Sequence, residues 1–142
     1  MSSSEKLPIV AVTGFLGSGK TTFLNELIPR LRAANRLVAV LINEMGAPGI
    51  DAELVGENDY ITSIVGGSVF CACVKGQLIP AMRQIALEVQ PDVLVVEATG
   101  VADPGEAGGV ASDQQTAALY QLACTICLAS ARTLHKVVQT LM

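Results

Sequence analysis

Ile9-Val10-Ala11-Val12-Thr13-Gly14-Phe15-Leu16-Gly17-Ser18-Gly19-Lys20-Thr21-Thr22-Phe23-Leu24 joins two unlike periodicities across a glycine-rich turn. Ile9 to Val12 are apolar at every position, the pattern of a parallel strand covered on both faces. From Lys20 onward, Phe23, Leu24, Leu27, Ile28 and Leu31 recur at helical spacing and mark a buried stripe. Between them, Gly14 to Thr21 satisfies G-x-x-x-x-G-K-[ST] at every required place. Glycines let the backbone turn so that successive N–H groups converge on phosphate oxygens, and the start of a helix adds partial positive charge. The pattern therefore predicts a nucleotide site. Gly14, Gly17, Ser18, Gly19 and Thr22 build its cradle, Lys20 reaches the β- and γ-phosphates, and the Thr21 hydroxyl ligates Mg²⁺. The structural alternative is a glycine-rich turn with a solvated lysine.

The remaining segments extend this βα unit. Leu37 to Ile42 is a second continuous apolar run, followed by a glycine- and proline-containing loop from Met45 to Asn58. Tyr60 to Val65 reads as a short strand. Leu78, Met82, Ile85 and Val89 trace a helix from Gln77 to Val89, with Pro80 tolerable in its first turn and Pro91 as its stop. Val93 to Val96 is a third buried strand, and a glycine-rich loop covers Gly100 to Gly109. A helix is predicted over Gln114 to Leu122, a fourth core strand over Cys124 to Leu128, and a last helix from about Arg132. Pro29 predicts a kink or an early end to the first helix, and Arg30, Arg32 and Arg36 compensate its dipole. Strand and helix alternate throughout. The expected fold is α/β: a three-layer P-loop NTPase fold with a mainly parallel sheet flanked by helices.

Composition agrees with one compact domain. The chain has 142 residues, 51% of them hydrophobic and 15% charged, which excludes a disordered or fibrous protein. A net charge of −4 leaves no electrostatic footprint for nucleic acid or an anionic membrane. The polar lead-in from Met1 to Pro8 does not read as a signal peptide, and Thr116 to Ala131 is too short for a membrane span and carries Gln121. A soluble, cytoplasmic protein is expected. In such a compartment the four cysteines are metal ligands or small buried hydrophobes, not a disulfide framework. Cys124 and Cys127 fall on opposite faces of an extended strand, which favours core packing over metal binding.

A triphosphate site also needs carboxylates near the metal. Glu97 ends the Val93–Val96 run, where ligands of open α/β sheets gather, and Glu97-Ala98-Thr99-Gly100 puts a carboxylate by Mg²⁺ or the attacking water and the Gly100 amide by the γ-phosphate. Glu44 ends the preceding run on the same edge and is a second candidate.

With these blocks in order, together with Asn43-Glu44-Met45-Gly46, Gly49-Ile50-Asp51, Cys71-Ala72-Cys73 and Glu97 through Pro104, the chain resembles the CobW-type metallochaperone P-loop GTPases from Ile9 to about Val138. The resemblance implies Mg²⁺-dependent GTP hydrolysis (GTP/GDP as the nucleotides), with both glycine-rich loops as switches and Asp51 approaching the magnesium. It further implies transition-metal delivery, of zinc or cobalt, to a client metalloprotein. The family's C-x-C-C metal cluster appears here as Cys71-Ala72-Cys73-Val74, without the third thiol. Two thiolates do not close a tetrahedral zinc site, so Glu44 would supply one more ligand and a second chain in a homodimer the rest. Cys71 and Cys73 share a face if that segment is extended, and buried apolar cysteines are the alternative. His135, the single histidine, reads as structural or surface.

The family's Asn-Lys-x-Asp base-recognition segment has no counterpart, Ser130 stands where the family usually has Asp, and the family's C-terminal domain is missing. Residues 1–142 are thus expected to be an incomplete N-terminal GTP-binding domain, as a fragment or a degenerate copy. Guanine selectivity rests on resemblance. Two competing functions stay open: an ATP-dependent P-loop kinase of small molecules, and a nucleotide- or metal-binding module without turnover.

Overall fold

The computed structural model describes residues 6–44, 60–65, 72–97, 109 and 111–141. Five strands, β1 (Leu7–Gly14), β2 (Val38–Glu44), β3 (Tyr60–Val65), β4 (Val93–Glu97) and β5 (Tyr120–Leu128), form one sheet in the order β3-β2-β4-β1-β5. Every pairing is parallel. The helices are α1 (Lys20–Ala33), α2 (Ala72–Gln84), which runs on into a π turn (Ile85–Val89), and α3 (Ala131–Leu141).

Alternation along the central strands sends side chains to two separate cores. Val12, Val38, Val40, Ile42, Val93 and Val95 meet Leu24 and Ile28 of α1. Ile9, Ala39, Leu41, Leu94 and Val96 meet Leu78, Met82 and Ile85 from α2 and the π turn. Handedness explains why the helices part. The step from β1 to β2 and the step from β3 to β4 run in opposite directions across the sheet, so two right-handed crossovers put α1 and α2 on opposite faces. Ala111 and Tyr120, on the way into β5, join the α2 side. The three-layer arrangement with a parallel sheet is the one expected from the sequence.

Several local expectations are corrected. Residues 114–119 form turns, and β5 already starts at Tyr120, where the sequence predicts a helix over Gln114 to Leu122. Tertiary contacts override the helical propensity of that run: the Leu7 amide donates to the Leu119 carbonyl at 2.8 Å, and the buried Tyr120 hydroxyl donates to the Met82 carbonyl at 2.7 Å. β5 is no core strand. Among the described residues it is an edge of the sheet, and Gln121 through Thr125 are exposed. Cys124 and Cys127 are accordingly exposed, not packed in the interior. Their registers, against Val10 and Thr13, do place them on opposite faces. The second helix begins at Ala72, so Pro80 sits within it instead of in its first turn. α1 continues through Pro29 to Ala33 without an early end. Arg30 lies 3.6 Å from Glu26, and Arg36 lies 3.5 Å from Asp92. His135 is on α3 and exposed. Among the described residues, no helix is long and apolar enough to cross a membrane.

Candidate functional site

β1 and β4 are adjacent parallel strands, and their carboxyl ends lie side by side at the centre of the sheet. Ligands of open parallel sheets bind at this end of the strands. Gly14 ends β1 there. Glu97 ends β4 beside it, in register with Val12 of β1 and Ile42 of β2.

The turn from Gly14 to Lys20 takes its shape from its glycines. Gly14 has φ +143° and Gly17 has φ +73°, while Gly19 caps α1 in the left-handed region with φ +95°. Non-glycine residues rarely adopt such angles. At Gly14 the packing is also tight. A Cβ there would overlap the Leu128 carbonyl oxygen of the neighbouring strand and come within 2.7 Å of Ser18 Oγ. The Ser18 amide donates to the Phe15 carbonyl at 3.1 Å and closes the turn.

The site is cationic and rich in uncommitted donors. Lys20 folds its ammonium back onto the loop, donating to the Gly14 carbonyl at 2.8 Å and the Phe15 carbonyl at 3.4 Å, and the residue is only 9% exposed. The α1 N-terminus has no side-chain cap and no acidic residue in its first turn. The first amide bonded back to the loop is that of Phe23, to the Gly19 carbonyl at 2.9 Å. The amides of Lys20, Thr21 and Thr22 therefore lack a backbone acceptor among the described residues, and the helix dipole adds to their field. Ser18 Oγ is buried without a partner. Orphaned donors around an ammonium fit a polyphosphate, whose oxygens only accept. For magnesium the chemistry also fits: the half-buried Thr21 and the buried Glu97 offer hard oxygen donors.

Thr22 is exposed on the first turn of α1. Glu44 ends β2, in register with Val65 of β3, on the same sheet edge as Gly14 and Glu97. Asp51, Cys71 and Gly100 lie outside the described residues. Cys73 lies in α2, so the extended segment expected to align Cys71 with Cys73 is not extended at Cys73. Among the described residues, no three His, Cys, Asp or Glu side chains converge as a metal cluster would require. One contributor was missed from the sequence. Leu128 acts through its main-chain carbonyl against Gly14, and a carbonyl carries no sequence signal.

A glycine-rich turn between a central parallel strand and an uncapped helix, with its lysine folded inward, defines a P-loop protein of the α/β class. The family described as "CobW/HypB/UreG, nucleotide-binding domain" matches residues 8–140, and the chain belongs to it. The chain is 36% identical over 114 residues to the zinc chaperone CobW of Pseudomonas aeruginosa, covering 73% of this chain and 30% of that protein. It is 34% identical over 128 residues to the zinc chaperone YeiR of Escherichia coli, covering 87% of this chain and 37% of the relative. It is 32% identical over 113 residues to the zinc-regulated GTPase metalloprotein activator 1 of Dictyostelium discoideum, covering 70% and 23% respectively. The chain thus spans well under half the length of these relatives. No solved structure matches it.

Proposed function

We propose that this chain is the nucleotide-binding part of a cytoplasmic metallochaperone that binds and hydrolyses GTP with Mg²⁺ and couples the cycle to delivery of zinc or cobalt to a client metalloprotein. The observation that carries the reading is the Gly14–Thr21 turn, which holds a buried lysine beside helix-start amides that lack a backbone acceptor among the described residues. The guanine and metal parts draw their support from the relatives, which are named as zinc chaperones and as a GTPase metalloprotein activator.

In this reading Lys20 exchanges its carbonyl contacts for the β- and γ-phosphate oxygens. Amides from Gly17 to Thr22 and the Ser18 hydroxyl complete the cradle. Thr21 and Glu97 hold the magnesium, or Glu97 orients the attacking water, and Glu44 and Asp51 are further carboxylates for the same edge. Magnesium held there would supply positive charge to offset that of the phosphates. The Gly100 amide serves the γ-phosphate. Cys71 and Cys73 are the thiolates for the cargo metal, with one further ligand from Glu44 and the rest from a second copy of the chain.

Calorimetric competition among GTP, GDP, ATP and ADP with Mg²⁺ tests the proposal. Guanine nucleotides should bind preferentially, Lys20→Ala should abolish that binding, and phosphate should be released from GTP. Wild-type affinity in Lys20→Ala would discard the phosphate-loop assignment. ADP formation that depends on a small-molecule acceptor would replace the proposal with a kinase. GDP binding without phosphate release from GTP would replace it with a module that does not turn over.

A further inference from the structure

The amino-terminal edge of the sheet, opposite the phosphate loop, holds a cavity of about 750 Å³. Lys6, Leu31, Arg36, Gln90, Asp92 and Leu119 are among its walls. They come from the start of β1, the end of α1 and the turn after it, the end of the π turn, and the approaches to β4 and β5. Nucleotide binding at the other edge has no use for this convergence. The volume falls within the range that accommodates a small organic ligand.

One wall carries two uncommon backbone conformations in succession. Ile85–Val89 is wound as a π turn, and Gln90 follows in the left-handed region with φ 50°. Segments of both kinds cost free energy and recur at binding sites. Ala86 and Gln90, one turn apart on this segment, both face the cavity.

Charge selects the class of ligand. Asp92 is committed to the protein: its Oδ2 accepts the Leu37 amide at 2.7 Å, and its Oδ1 accepts from Arg36 Nη1 at 3.5 Å. Lys6 is exposed and has no ion pair or hydrogen-bond partner among the described residues. Among the described lining residues, two cations against one carboxylate leave one positive charge in excess, above apolar surface from Leu31 and Leu119. A ligand matched to both features has an apolar body and a single negative head.

We propose that this cavity binds a small amphipathic carboxylate, with its apolar body against Leu31 and Leu119 and its carboxylate on the Lys6 ammonium. The site is independent of the phosphate loop, so its occupancy does not require nucleotide.

Titration of the full chain with sodium octanoate, followed by amide chemical shifts and calorimetry, tests it, with octylammonium as the charge control. Octanoate should bind saturably and shift the Leu7, Gln90 and Leu119 amides, while octylammonium should not. Lys6→Glu should weaken octanoate roughly ten-fold, the loss of one charge-assisted contact. Ala118→Trp, which adds an indole at an exposed lining position, should abolish binding. Lys20→Ala should leave octanoate affinity unchanged while removing nucleotide binding, which separates this site from the phosphate loop. The proposal is overturned by an absence of saturation, by equal affinity for octylammonium, or by binding unaltered in Lys6→Glu. Shifts confined to Leu134, Val137 and Val138 on the exposed face of α3 would overturn it as well.

Discussion

Replacing Gly14 by alanine adds one methyl group, and the structure says where that methyl goes. It would overlap the Leu128 carbonyl oxygen and sit 2.7 Å from Ser18 Oγ, on a residue whose φ is +143°. The backbone angle alone costs an L-residue about 1–3 kcal/mol. Relieving the overlap means displacing either the end of β5, which is paired with Gly14 in register, or the turn itself. Overpacking of this kind costs about 1–3 kcal/mol more. The sum, about 2–6 kcal/mol, is a large share of the ~5–15 kcal/mol that holds a typical domain folded. Gly17→Ala is the control. Gly17 also has positive φ, at +73°, but no atom lies within 4 Å of the added carbon. Only the backbone penalty applies there, about 1–2 kcal/mol. Urea denaturation of both variants, read by far-ultraviolet circular dichroism, should therefore rank Gly14→Ala well below Gly17→Ala. Equal midpoints, or the reverse order, would show that β5 does not press on the turn, and the reasoning would fail.

Tyr120→Phe should destabilise the fold by about 1–2 kcal/mol, because it removes a buried hydrogen bond to the Met82 carbonyl. Burial raises the Tyr120 pKa well above its ordinary value. The folded chain thus keeps a proton that the unfolded chain loses near pH ~10, and stability should fall as pH rises past that point. Thermal melts across alkaline pH should show a shallower fall in Tyr120→Phe; an identical fall in both would refute the assignment. At Asp92, alanine should cost about 1 kcal/mol through loss of the acceptor for the Leu37 amide, whereas asparagine, which keeps an acceptor, should cost less. The exposed Arg36 partner contributes little, so raising the salt concentration should leave that difference intact.

What could be read from the sequence follows from what each segment buries. β1, β2 and β4 are covered on both faces, so their apolar runs announced them, and the glycine spacing announced the turn. The place of Glu97 at a strand end was legible because it closes one of those runs. β5 has the same composition as a covered strand yet lies at the edge, and composition does not tell which strand a neighbour covers. The run before it reads as helix because its alanines and glutamines favour one. A single hydroxyl bonded across the core and one amide from β1 decide otherwise. The start of α2 at Ala72 carries no capping residue or apolar period to reveal it. The π turn has no signature in residue types either, since it follows from packing.

The inward Lys20 side chain has a kinetic consequence. Its ammonium already rests within the turn, on the Gly14 and Phe15 carbonyls, and the Ser18 amide holds the same turn closed. Those two contacts keep the ammonium occupied, so any anion drawn to the turn has to displace the lysine from the carbonyls first, and capture would carry a step of side-chain release as well as encounter.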